Sequence, residues 1–141
     1  MGVPVQVRSR LPILNITMFS FVTLGTNDLN KSKLFYDSLL QFIGINSVEE
    51  TDRYIGYAKT ETLEKIEFYI MIPHNKEEAS FGNGAMITFT IDTREKVNIF
   101  YDLALSLGAT DEGLPGPRHG EHYYAYFRDL DGNKICVSCS D

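Results

Sequence analysis

Residues 21–40, FVTLGTNDLNKSKLFYDSLL, and residues 86–105, MITFTIDTREKVNIFYDLAL, carry one pattern twice. At an offset of 65 positions Thr23 falls on Thr88, Lys31 on Lys96, and Leu40 on Leu105. The triplet Phe35-Tyr36-Asp37 falls on Phe100-Tyr101-Asp102, and no gap is needed. Val22 with Ile87, Asn27 with Asp92 and Leu34 with Ile99 are conservative pairs. In each copy, apolar and polar residues first alternate, as in a strand. A polar break follows, and then apolar residues at helical spacing. A triplet shared at the same point of a strand-then-helix pattern marks a duplicated unit.

Each half continues in the same way. RYIGYAKT and KIEFYIMI follow the first helix, separated by the polar TETLE. HYYAYFRD and KICVSCS follow the second, separated by DLDGN, a strong hairpin signal. The polar, glycine-bearing HNKEEASFGNG reads as the break between halves. The expected organisation is an extension at 1–17, a first βαβββ module at 18–74, a linker at 75–84 and a second module at 85–141. The fold class is therefore α+β: two tandem βαβββ modules forming a curved mixed sheet around a cleft, with helices outside.

A module of this size cannot bury both sheet faces alone. Strand alternation assigns Val22, Leu24, Phe68, Ile70 and Ile72 to the helix side of the first module. It sends Phe21, Thr23, Glu67, Tyr69 and Met71 to the other face. In the second module Ile87 and Phe89 oppose Met86, Thr88 and Thr90. Opposite each apolar face stands a mixed face of aromatic, thioether and hydroxyl groups. Two such faces set together would line a cleft.

The chain has 141 residues, 43% of them hydrophobic and 23% charged, within the range of a globular domain. Nine Phe and eight Tyr stand against no Trp, so any aromatic site is built from Phe and Tyr. A net charge of −6 without a cluster of Lys and Arg argues against a nucleic-acid partner. No apolar run approaches the about 20 residues of a membrane span. LPILNI, in the first seventeen residues, is too short for a signal core, and Met18 is an alternative start. Two cysteines in a chain read as cytoplasmic imply thiols.

The doubled unit resembles the vicinal-oxygen-chelate superfamily, which includes glyoxalase I, bleomycin-resistance proteins and extradiol dioxygenases. The residues that carry the match are VTLGTNDLNKSKLFYDSLL, the second FYD, and FRDLDGNKI beside the family's F-x-D-P-D-G-N-x-I. Leu130 replaces the usual proline. GATDEGLPGPR resembles a bacterial glyoxalase-like branch. The resemblance covers about residues 18 to 140 and implies a divalent metal held by the first and last strands of each half. The first ligand position, normally His or Gln, is Phe21 here, and its counterpart is Met86. The closing carboxylate position is Cys136. Phenylalanine donates nothing, and a thioether suits soft ions, so no metal and no other cofactor is expected.

Other candidates are weighed on their residue chemistry. Cys136 and Cys139 lie three apart on a strand and so point to opposite faces, unlike a redox pair at a helix N-terminus, and Cys136, as a thiol facing the cleft, counts among the ligand-binding candidates. His119 and His122 sit in PGPRHGEHYY, a glycine- and proline-shaped loop with the character of a lid, in which Arg118 would meet an anionic group. His74, after Pro73, reads as structural. Tyr124, Tyr126 and Arg128 fall on the cleft register. In the fosfomycin-resistance branch that the chain resembles, similar positions contact substrate, as does the threonine matching Thr23. Phe35 and Phe100 read as helix core.

Two functions follow. The first is a metal-free protein binding a small apolar or aromatic ligand, with Phe21, Met86, Tyr69 and Tyr124 as its wall, and Thr23, Thr88, Tyr126 and Arg128 as polar contacts. The alternative is a glyoxalase-like lyase or isomerase with Glu67 as base and Arg128 or Tyr126 stabilising an enediolate. Family members commonly dimerise, so a homodimer is the expected assembly.

Overall fold

The computed structural model describes residues 17–140. The expected extension at 1–17 therefore lies outside the described residues except for Thr17. The first module runs β1 (Val22–Gly25), α1 (Leu29–Gln41), β2 (Ile45–Glu50), β3 (Tyr54–Lys59) and β4 (Ile66–Met71). The second runs β5 (Ile87–Thr90), α2 (Arg94–Ser106), β6 (Thr110–Pro117), β7 (Tyr123–Arg128) and β8 (Lys134–Cys139). Each module makes a four-stranded sheet, in the orders β1-β4-β3-β2 and β5-β8-β7-β6. The first strand of each pairs in parallel with the last, and the other pairs are antiparallel. The expected α+β fold of two βαβββ modules is what forms.

The repeat is written into the helix starts. The Asp28 side chain accepts from the Lys31 amide at 3.1 Å, and the Thr93 hydroxyl does the same for Lys96. These N-caps occupy equivalent positions of the two copies and satisfy one orphan amide each. Both helices are then 13 residues long.

The edge strands β2 and β6 are not among the strand-like stretches of the sequence. INSVEE is largely exposed and lacks alternation, and TDEGLPGP reads as a turn. Each is held by its neighbour's ladder instead, with a register shift between Ser47 and Glu49 and others at Gly113. Irregular polar edges of this kind resist pairing with other chains. The stretch expected as a loop, PGPRHGEHYY, is therefore the end of β6, a short turn and the start of β7. The Arg118 amide closes the turn on the His122 carbonyl at 2.7 Å. His119 (φ 53°) and Gly120 (φ 86°) take the left-handed conformations the reversal needs.

The predicted helix-side residues Val22, Leu24, Phe68, Ile70, Ile87 and Phe89 meet in one core that crosses the module boundary, whereas Ile72 lies past the end of β4 and outside that core. Phe68 of β4 stands edge-on to Phe89 of β5 at 5.5 Å. Phe35 of α1 packs on Phe127 of β7, which in turn contacts Phe100 of α2. A second link is polar. Asp129 and Asp131, in the DLDGN turn after β7, reach the β1–α1 corner of the first module. Tyr36 donates to Asp129 Oδ2 at 2.5 Å, and the Asn27 amide to Asp131 Oδ1 at 2.8 Å. Ser32 donates to Asp131 Oδ2, and Asn133 to the Gly25 carbonyl at 3.0 Å. Burial pushes the Asp129 carboxyl up from its ordinary range, offset in part by the Tyr36 and Asn133 hydrogen bonds.

Candidate functional site

β1 and β5 are the edges of their sheets, and two cavities open along the seam between them. The larger, about 660 Å³, brings Phe21 of the first module together with Met86 and Thr88 of the second. Glu67 also lines it, as do Phe19 and Phe89, so its wall is largely aromatic and apolar. The smaller, about 350 Å³, is lined by Thr23 and Met86 with Phe81 and Lys134. Val22, Met86 and Ile87 are common to both. Phe21 is 51% exposed and Met86 46%, large apolar groups left in the open at the mouths of cavities.

The remaining expected residues lie on the mixed faces of the sheets without lining either cavity. In the first sheet Thr23 pairs with Tyr69, and Tyr69 with Gly56. The Tyr69 ring meets Phe21 at 5.1 Å and Tyr54 at 5.4 Å, both edge-on. In the second sheet Thr88 pairs with Cys136, Cys136 with Tyr126, and Tyr126 with Gly113. The Tyr124 and Tyr126 rings stack at 6.0 Å, and the His119 and His122 rings approach Tyr124 at 6.0 and 6.3 Å. Each sheet thus carries a tyrosine laid across a glycine of the neighbouring strand. A Cβ at Gly56 would stand 3.0 Å from the Tyr69 ring, and one at Gly113 would stand 2.8 Å from Tyr126 Cδ2. A Cβ at either place would press on a facing side chain.

The charged candidates are engaged by protein groups. Arg118 donates to the carbonyls of Leu114, Gly116 and Tyr124, and its guanidinium lies 5.2 Å from the Tyr126 centroid. It therefore braces the β6–β7 turn. Arg128 pairs with Glu112 at 3.0 Å, donates to the Gly132 carbonyl and covers the Phe81 ring. Glu67 stands 3.9 Å from Lys59 and is half-exposed. The FYD tyrosines also have structural partners: Tyr36 bonds Asp129 and Tyr101 bonds Asp111. Asp37 accepts from Tyr57 and Lys33.

Cys136 faces the same side as Thr88 and Tyr126, whereas Cys139 belongs to the core, so the two thiols point apart. Cys136 is only 1% exposed. Burial pushes its thiol up, against the pull of hydrogen bonds to Thr88 and Tyr126 and of the charges on Arg118 and Lys134. At neutral pH it is a protonated, hydrogen-bonded thiol.

A divalent cation at the position the resemblance implies would meet Phe21, Met86 and Cys136. Phe21 is packed against Tyr69, Met86 offers a thioether, and Cys136 is a buried neutral thiol. These residues do not fit a hard or borderline ion. Among the described residues no three His, Cys, Asp or Glu side chains converge as ligands.

Lys134 was not singled out in the sequence, although the signal was present. It lies two residues before Cys136 on the same strand, and period-two alternation puts both on one face. Phe81 was hidden more deeply, in a stretch that reads as linker.

The sequence profile of the Glyoxalase/Bleomycin resistance protein/Dioxygenase superfamily matches residues 18–137, spanning both repeats. Among solved structures, a glyoxalase/bleomycin resistance protein from Albidiferax ferrireducens T118 is 37% identical. The match covers 87% of this chain and 98% of that one, with a TM-score of 0.79. A family enzyme from Burkholderia phytofirmans PsJN shares the fold at 21% identity, with coverage of 86% and 98% and a TM-score of 0.69. So does the genomically encoded fosfomycin resistance protein from Listeria monocytogenes, at 21% identity, 89% and 95% coverage and a TM-score of 0.65. A search of curated proteins finds no match. The duplicated βαβββ unit, the profile match and the 37% identity lead to one conclusion: the chain belongs to the glyoxalase/bleomycin resistance protein/dioxygenase superfamily.

Proposed function

We propose that the protein is a metal-free binder of a small apolar or aromatic molecule, held in the seam between the two modules. The observation that carries this is the 660 Å³ cavity, which joins Phe21 and Met86 from opposite modules in a mainly apolar wall. Its size lies in the range of small-molecule sites. A thioether beside aromatic rings adapts to flat or irregular apolar shapes. The donor set at the family's metal position supports the metal-free part of the reading. The chain is read as cytoplasmic and as a homodimer, with the exposed Phe19, Phe21 and Met86 covered, in whole or part, by the second copy.

A thermal-shift screen with aromatic compounds and glutathione adducts tests the binding reading. At least one aromatic compound raises the melting temperature, and Phe21→Ala and Met86→Ala each reduce that rise. A screen in which nothing shifts the melting temperature overturns it. Elemental analysis of the purified protein tests the metal-free claim, which stoichiometric nickel, zinc or iron would sink. Light scattering after size exclusion reads the assembly, with about twice the monomer mass expected.

One observation favours the second reading, a glyoxalase-like lyase or isomerase: the Glu67 carboxylate lines the same cavity. Its expected partners, Arg128 and Tyr126, do not line it, and Arg128 is already paired with Glu112. Proton abstraction beside a carbonyl needs both a base and a group that stabilises the resulting oxyanion. Binding is therefore the preferred reading. Turnover of a methylglyoxal–glutathione adduct that survives EDTA and vanishes in Glu67→Gln would reverse the preference.

A further inference from the structure

Lys134 opens β8 directly opposite Arg128 of β7. The two cations differ in what surrounds them. Arg128 has Glu112 as counter-charge, and Arg118 is braced on three carbonyls. Lys134 takes part in none of the ion pairs found among the described residues, although it is half-buried. Its Nζ lies 5.3 Å from the Tyr126 centroid, so the ring face is its protein partner. A ring face offers an ammonium a weaker counterpart than a carboxylate does. Lys134 also lines the 350 Å³ cavity, together with Thr23 and the apolar Met86 and Phe81.

We propose that Lys134 is the anion-recognising residue of the seam and that the ligand is a small apolar carboxylate. Lys134 supplies the charge, Thr23 a hydroxyl donor, and Met86 with Phe81 the surface for the apolar body. This rests on the reading of the seam as a small-molecule site, and it places the charged end of the ligand in the smaller cavity, which shares Met86 with the larger. One unpaired ammonium matches one negative charge. A phosphate dianion would call for more donors than this wall offers, since both neighbouring guanidiniums are engaged. In a chain of net charge −6, an anion also needs a local cation to overcome the general field.

The test uses the full chain and two probes of the same shape, naphthalene-2-carboxylate and the neutral 2-naphthamide, titrated calorimetrically at neutral pH and low salt. The carboxylate is expected to bind at least about tenfold more tightly than the amide. Lys134→Met brings the carboxylate down to the amide's affinity and leaves the amide unchanged, while Lys134→Arg keeps most of the preference. Lys134→Gln serves as a second neutral variant, and urea unfolding verifies that each variant is folded. Equal binding of the two probes by the wild-type protein overturns the proposal and leaves the small-molecule reading standing. So does a preference that persists in both neutral variants. Failure of both probes to bind overturns the proposal and counts against the reading beneath it.

Discussion

At Gly113 a Cβ would stand 2.8 Å from the Tyr126 ring, on a strand whose partner is the floor of the mixed face. Gly113→Ala is therefore expected to tilt Tyr126 off β6, disturbing its stacking on Tyr124 and its contact with Lys134. Overpacking of this kind costs about 1–3 kcal/mol, which urea unfolding reads, and the tyrosine ring resonances should shift in NMR spectra. Cys136 gives a second expectation at this scale. A buried thiol pushed up in pKa reacts slowly, because the thiolate is the nucleophile. Iodoacetamide at neutral pH should leave Cys136 unlabelled in the native protein and label it fully in urea, as mass spectrometry can verify. Alternation along the strand set Cys136 and Cys139 on opposite faces. The burial of Cys136 depends on Thr88 and Tyr126 from two other strands, which alternation cannot report.

At the scale of elements, the DLDGN turn is more than a hairpin connection. It was legible as a turn from Asp-Gly, and Gly132 does take a positive φ of 89°. That its carboxylates accept bonds from Tyr36, Asn27 and Ser32 in the other module was not legible, because those residues lie about a hundred positions away. Asp129 makes this link testable by pH. Its carboxyl titrates above the unfolded value of 3.8, since burial disfavours the charged form. The native state then holds this proton more tightly than the unfolded chain. The group's contribution to stability is full below the unfolded pKa and is lost as pH rises through the raised one. The stability difference between wild type and Asp129→Asn should thus be larger near about pH 3 than near about pH 6, the reverse of a salt-bridged carboxylate. Urea midpoints at both pH values would read it, and an unchanged difference would remove Asp129 from the account.

For the whole molecule, one aromatic core spans both modules, so neither half should unfold by itself. Phe127 contacts Phe35 of α1 and Phe100 of α2, and it is fully buried. Phe127→Ala should cost about 3–5 kcal/mol. Far-UV and near-UV signals should still move together in a single urea transition. Two separated transitions would mean that the modules are independent units. The same packing sets the candidate site, because residues of β1 and β5, one from each module, line the same two cavities.

The sequence by itself determined the duplication, the strand that leads into a helix in each copy, the closing hairpin and the division of the opening strands into a core face and a mixed face. All of these are periodic or local, set by spacing along the chain. Phe21, Thr23, Met86 and Thr88 were placed by that logic at the strands that form the seam. Only the tertiary structure decided which mixed-face residues meet. It put Glu67 in the cavity and kept Tyr126 and Arg128 out of it, engaged Arg118 with backbone carbonyls, and set Lys134 at a cavity wall. The physical reason is that alternation fixes the side a residue faces, whereas the neighbours that fill or satisfy it come from strands distant in sequence. Phe21 illustrates both parts: the repeat pairs it with Met86, and the packing of two sheets on one core sets the two residues in the wall of one cavity.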